Sequence, residues 1–273
     1  MPTIVEITPM RDLLRADWDA LDQLCAPLDD EQWATPTCLP GWTVQDVLAH
    51  VIGTELMLEG VPAPQVDVSH LAHLRNDIAR MGEVWVEDLR PLSGPQVLER
   101  FREVTARRGA ALDAMDQTDF DAPSWTPVGK DETYGRFMRI RHYDTFLHEH
   151  DIRQALGAPD RADVAAIEVA LPEVDGALGY IVGRKAALPD GSVVRIDLTG
   201  PVVRSYTVVV DGRAQVVEDP ALEPSVTLAM SDLAFFRLTG GRTEPSDHLG
   251  VDLEISGDQA TGLHLAANMA MTI

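Results

Sequence analysis

The feature that most constrains this chain is a change of period at Pro189-Asp190-Gly191. Before this turn, apolar residues recur three and four apart, the spacing that lines one face of a helix. After it they come as short β-branched runs broken by Gly, Pro and Asp-Gly, the grammar of strands and turns. A helical block is therefore followed by a mixed one, and 273 residues are enough for each to own a core. The expected fold class is α+β with two domains.

In the first block Thr8 and Pro9 open a helix carried by Leu14, Trp18, Leu21, Cys25 and Leu28. The turn Leu39-Pro40-Gly41-Trp42 leads to Thr43, which with Asp46 makes an acidic variant of the capping box, so a second helix starts at Val44. A third is predicted from Ser69 to Leu89 and a fourth from Ser93 to Met115, with Pro95 tolerated in its first turn. The segment DAPSWTPVGKDE reads as a loop. Thr133 to Leu156 reads as a long helix closed by Gly157 and Pro159. Short connections imply an antiparallel bundle over residues 1–160. Residues 161–190 are predicted as a bridge, helical from Asp163 to Ala187 and kinked or split at Pro172. Residues 191–273 form a small α+β domain: strands in SVVRIDLTG, YTVVVDG, AQVVE, SVTLAM and VDLEISG, a short helix capped by Ser231, and a closing helix from Asp258 to Met271.

Charge narrows the function classes. The 44 acidic and 22 basic residues leave a formal net charge of −22, a field that repels nucleic-acid phosphates and anionic lipid headgroups. A small anionic substrate stays open, because one local arginine can dominate a pocket. No uncharged run reaches membrane-spanning length and the N-terminus has no leader pattern, so the expectation is a cytoplasmic protein without membrane or nucleic-acid partners. Oligomeric state is not legible. The only cysteines, Cys25 and Cys38, make no disulfide framework, and Cys25 lies on an apolar helix face as packing.

The candidate chemistry lies in the helices. Asp144 and His148 stand one turn apart, about 40° around the helix, so both side chains can reach one ion from the same face. The same spacing also gives ordinary acid–histidine pairs. His50 lies within the apolar helix LAHVIG, where a bare imidazole is costly; it is either a ligand or a core histidine bonded to a carbonyl or to Asp46. Asp151, three residues after His148, can orient an imidazole, and Arg153 lies near the same helix end; the two can equally be a solvated ion pair. His70, His73 and Asp77 would share a solvated face of the third helix, and His142 and His150, turned away from Asp144, are expected at the surface or behind the site. No phosphate loop, dinucleotide fingerprint or nucleophile elbow is present.

The segments LPGWTVQDVLAHVIGTE, RNDIARMGEVWVEDLR and RIRHYDTFLHEHDIRQALG resemble the mycothiol-dependent maleylpyruvate isomerase family. The resemblance implies a DinB-like antiparallel four-helix bundle followed by a sterol-carrier-like domain. It also places His50, Asp144 and His148 at the family's metal ligands, typically for zinc. The implied cosubstrate is a low-molecular-weight thiol such as mycothiol. Where the characterised isomerase has glutamate this chain has the shorter Asp144, and the arginine supplied from that enzyme's C-terminal domain has two candidates by region, Arg237 and Arg242.

The implied function is a metal-dependent enzyme that activates a thiol for isomerisation of, or S-transfer to, a small electrophilic substrate. Three alternatives remain at this level. They are a hydrolase in which the metal holds hydroxide, a protein that binds a small apolar ligand without catalysis, and an ion that only staples the bundle.

Overall fold

Helical spacing and strong caps build the first 161 residues. Thr43 and Asp46 form the expected capping box at the start of a helix, Thr133 accepts from the Arg136 amide at the start of another, and Gly157, with φ +63°, ends it in the left-handed conformation that glycine adopts without strain. In the computed structural model, which describes residues 2–218 and 222–271, the chain divides into two compact units, Met1–Arg161 and Ala162–Ile273. Residues 1, 219–221, 272 and 273 of the expected domains lie outside the described residues.

The first unit is built on four long helices: α1 (Ile7–Cys25), α3 (Val44–Leu58), α5 (Gly94–Asp113) and α7 (Tyr134–Leu156). Helix α1 packs on α5 and α7, and α3 packs on the same two, which closes the bundle. Leu14, Leu21, Leu48, Ile52, Phe101, Leu112, Met138 and Phe146 fill its centre and are fully buried. Each such side chain contributes roughly 1.5–3 kcal/mol against about 1 kcal/mol for a cap, so the interior sets the packing and the caps set the ends.

Three short elements were not legible. Helix α2 (Asp30–Trp33) and helix α6 (Gln117–Asp121) are single turns capped by Asp29 and Asp116. The segment expected as a loop is largely a hairpin, β1 (Pro123–Thr126) paired antiparallel with β2 (Gly129–Thr133). The third long helix is shorter than its periodicity suggested: α4 runs from Asp77 to Leu89, because Asn76 caps it by accepting from the Ala79 amide at 2.8 Å. His70 and His73 therefore precede the helix and do not share a face with Asp77.

In the second unit a five-stranded sheet has the order β5-β4-β3-β6-β7, with β3 (Val193–Thr199), β4 (Val203–Asp211), β5 (Arg213–Val217), β6 (Val226–Met230) and β7 (Leu253–Gly257). All pairs are antiparallel except β3 with β6. Val194, Ile196 and Leu198 alternate into the core beside Val226, Leu228 and Met230, as a half-buried strand requires. The stretch expected as a bridge belongs to this unit from Ala162 on. It is α8 (Val164–Asp175), which contains Pro172, then α9 (Leu178–Tyr180) and a π-turn over Ile181–Lys185. Gly179 and Gly183 let that segment lie directly on Ala214 of β5, where a β-carbon at either position would stand 2.7 Å from it. Helix α10 (Asp232–Thr239) is capped by Ser231, and α11 (Gln259–Ala266) stops short of Met271. Among the described residues no helix is long and apolar enough to cross a membrane.

Candidate metal centre

Helices α3 and α7 are packed neighbours, and their contact brings His50 to the pair on α7. His50 Nε2 is 3.3 Å from Asp144 Oδ2, and His148 Nε2 is 3.5 Å from Asp144 Oδ1. One ligand atom from each of the three lies within 4.8 Å of the others. The carboxylate thus sits between two imidazoles whose rings meet edge-on at 4.8 Å. One-turn spacing supplied half of this arrangement; the partner from α3 comes from bundle packing alone.

The groups around the three residues fix their protonation. His148 Nδ1 lies 3.0 Å from Asp151 Oδ2, which places the Nδ1–H toward that carboxylate and leaves Nε2 turned to Asp144. Burial disfavours charge on His148, but Asp144 and Asp151 outweigh it and raise its pKa. For His50 burial wins, and its pKa is lowered despite Asp144. Burial also works against the Asp144 carboxylate, yet His148, Arg141 and His50 hold its pKa well below the ordinary carboxylate value. The His50 Nδ1 is buried without a hydrogen-bond partner among the described residues and stands against Gly82, whose β-carbon would come within 3.2 Å of it.

Behind Asp144 runs a buried ion network. Arg141 Nη1 donates to Asp144 Oδ2, and Arg141 Nε donates to Glu55 Oε1 at 3.1 Å. Arg108 Nε donates to Glu55 Oε2 at 3.0 Å, and its Nη2 to the Tyr134 hydroxyl at 2.9 Å. Trp42 covers both imidazoles, with ring centroids 5.1 Å from His50 and 5.9 Å from His148, and is held there by donating to Glu83 Oε2 at 3.0 Å. His50 and Asp144 open on a cavity of about 110 Å³ lined by Met57, Ile78, Met81, Trp85, Trp125 and Phe137, with Arg141 at its wall.

Other candidates fall elsewhere. Asp46 accepts from the Thr43 amide and hydroxyl and from Arg90, so it caps α3 and does not bond His50. Arg153 donates to Glu149 and to the Pro159 carbonyl, away from the cluster. His142 and His150, expected at the surface or behind the site, are buried in the bundle: His142 pairs with Asp17 of α1 and His150 with the Phe146 carbonyl one turn earlier. They face inward because α7 is surrounded, so nearly every side of it is core. His73 is half-buried, with its Nε2 3.3 Å from Glu83. Cys25 is buried, which pushes its thiol up to about 12, and the exposed Cys38 sits 3.3 Å from Asp151 Oδ1. Arg237 and Arg242 lie in the second unit, where Arg242 donates to the Gly240 carbonyl. Sequence reasoning missed Trp42, Glu55, Glu83 and Arg141; the last three carried a signal, charges on otherwise apolar helix faces, and Trp42 carried none.

The comparisons with known proteins agree with this architecture. Residues 14–153 match the model of the mycothiol maleylpyruvate isomerase N-terminal domain, and residues 168–264 match that of the MDMPI C-terminal domain. Two uncharacterized proteins of Mycobacterium tuberculosis, from strains CDC 1551 and H37Rv, are each 32% identical over 149 residues, covering 53% of this chain and 55% of theirs; the chain thus spans about half the length of the curated relatives it matches. The crystal structure of the mycothiol-dependent maleylpyruvate isomerase, alone and as a mutant, superposes with a TM-score of 0.61 at 14% identity, over 92% of this chain and 93% of that one; at that identity the likeness establishes the two-domain α+β fold. On the match of its N-terminal half, the chain belongs to the mycothiol maleylpyruvate isomerase domain family.

Proposed function

We propose that this protein is a thiol-dependent isomerase or S-transferase in which His50, Asp144 and His148 hold a divalent metal, zinc by donor type, for a low-molecular-weight thiol of the mycothiol kind. The donor set fits such an ion: two imidazoles and one carboxylate are a common catalytic zinc set, and one ligand atom from each of the three residues lies within 4.8 Å of the others. When bound, the ion lowers the pKa of a coordinated thiol, so that a thiolate is available near neutral pH.

The observation that carries this reading is that His50 and Asp144 stand at the wall of an apolar cavity. A centre that only stapled the bundle would have no use for that opening. Asp151 holds the His148 Nδ1–H and so presents Nε2. Trp42 shields both imidazoles from water, and Arg141 fixes the carboxylate. The apolar lining suits an organic electrophile better than the water of a hydrolase. Low-molecular-weight thiols are kept reduced in the cytoplasm, the compartment this reading assigns.

The test is elemental analysis of natively purified wild type and of His148→Ala, followed by thiol titration and an isomerisation assay with mycothiol and maleylpyruvate. Wild type is expected to hold stoichiometric metal and to show thiol-dependent turnover, and His148→Ala to lose both. A wild-type protein without stoichiometric metal would sink the metal reading, and hydrolysis indifferent to thiol would favour the hydrolase.

A further inference from the structure

The cavity beside His50 and Asp144 is too small for a whole organic substrate. Its volume of about 110 Å³ is below the ~150 Å³ of an apolar cavity that takes up a single benzene. It has room for a reacting carbon and a thiol sulfur, so the rest of the substrate must emerge at the mouth. Ile78 and Met81 of α4 and Trp125 of β1 line the cavity and yet stay 49%, 45% and 42% exposed. Large apolar side chains left in water around one opening mark a surface that a ligand covers. Trp85, Trp125 and Phe137 are all in the lining of a chain with only 5% aromatic residues, so the wall is enriched in flat rings. Trp125 meets Phe137 edge-to-face, with centroids 5.9 Å apart and planes at 79°, an arrangement that a third ring can extend. Charge offers no comparable handle: Arg141, the one guanidinium in the lining, is buried and paired with Glu55 and Asp144.

We propose that the electrophile carries an apolar aromatic group that lies across Ile78, Met81 and Trp125 while its reacting carbon enters the cavity. Trp125 is then the specificity-determining residue, and the β1–β2 hairpin is the element that presents it. This rests on the thiol-dependent reading above, in its S-transfer form. The thiolate sulfur forms a bond to the electrophilic carbon next to the ring, and the bond from that carbon to its leaving group breaks. The leaving group departs with the electron pair, and the proton lost when the thiol ionised goes to solvent. The ring takes no part in these bond changes and is held alike before and during the reaction. Its contribution therefore appears in KM and not in kcat.

The test uses the full chain as purified, mycothiol, and two uncharged alkyl chlorides, 4-nitrobenzyl chloride and 2-chloroacetamide, of which only the first has a flat ring. Chloride release, divided by the uncatalysed rate with the same thiol, is expected to give a kcat/KM about tenfold higher for the benzylic chloride. Trp125→Ser should lower that ratio roughly fivefold through KM, with metal content retained. Because Trp125 also packs on Phe137, Met81→Gln at an exposed position of α4 is the second variant, with a loss of roughly threefold. Binding without chemistry is read by nuclear magnetic resonance of the indole N–H groups during titration with the inert 4-nitrobenzyl alcohol, without thiol. The Trp125 resonance, assigned through Trp125→Phe, should move, and those of the buried Trp18 and Trp33 should not. A ratio unchanged in both variants, or an unmoved Trp125 resonance, overturns the assignment. So does a Trp125 resonance moved by mycothiol alone, since the thiol then occupies the mouth, or a sedimenting dimer that Met81→Gln dissociates, since a second copy then covers it. Alcohol binding at Trp125 without thiol-dependent chloride release overturns the thiol reading and supports the aromatic mouth. Thiol-dependent chloride release with a wild-type ratio near one does the reverse.

Discussion

The Asp151 carboxylate illustrates how one residue outside the cluster controls it. By accepting from His148 Nδ1 it selects the tautomer whose Nε2 can bind an ion, and loss of such a partner weakens metal affinity by roughly 10–100-fold. Asp151→Asn should fall in that range by chelator competition, with an unchanged fold by circular dichroism. Protonation follows with a definite sign. His148 has a raised pKa in the folded chain, so in metal-free protein its pairing stabilises fully below its unfolded value of about 6.5 and is lost as pH rises through the raised one. Asp144 has a depressed pKa, so its contribution is present above about 3.9 and is lost as pH falls through the lowered value. Metal-free wild type should therefore exceed Asp144→Asn in melting temperature most between those limits, and the difference should shrink at both ends. Metal affinity should rise with pH over the interval in which His148 loses its proton. A flat difference across pH would show that the pair does not couple to folding.

Among elements, the α3 and α4 contact is the most exacting. A β-carbon on Gly53 would stand 2.3 Å from the Trp85 Cβ, so Gly53→Ala must push α4 outward. The expected cost is about 1–3 kcal/mol in urea unfolding, with altered fluorescence of Trp85, which lines the cavity. The α3, α5 and α7 junction depends on Glu55, which is 1% exposed between Arg108 and Arg141. Glu55→Ala leaves two buried guanidinium groups without their shared carboxylate and should cost about 3–5 kcal/mol, measured the same way. These junctions also show where legibility stopped. The Thr43 cap and the Gly157 stop are local signals, and the observed helix ends follow them. The start of α4 was misjudged because apolar spacing continued upstream while Asn76 took the cap, and the hairpin was missed because β1 and β2 are too short to show a period of two.

At the scale of the whole molecule, all three candidate ligands, the Arg141 network and the cavity belong to the unit Met1–Arg161. Residues 1–161 expressed alone are therefore expected to fold and to bind metal with the affinity of the full chain, checked by calorimetry; failure to bind would show that the second unit completes the centre. The sequence alone determined the division into a helical and a mixed block, the long helices and the Asp144 and His148 pair, because period, caps and one-turn spacing are properties of neighbouring residues. The residue pattern left His50 open between a ligand, a carbonyl-bonded core histidine and a partner of Asp46, and the family resemblance set it beside Asp144 and His148. Only the tertiary structure supplied the His50 and Asp144 contact itself, turned His142 and His150 into the core, and set Arg141 and Trp125 along one cavity. These pairings join residues 94 positions apart for His50 and Asp144 and 125 apart for His142 and Asp17. Contacts at that separation are set by which helix faces pack together, which no local pattern encodes.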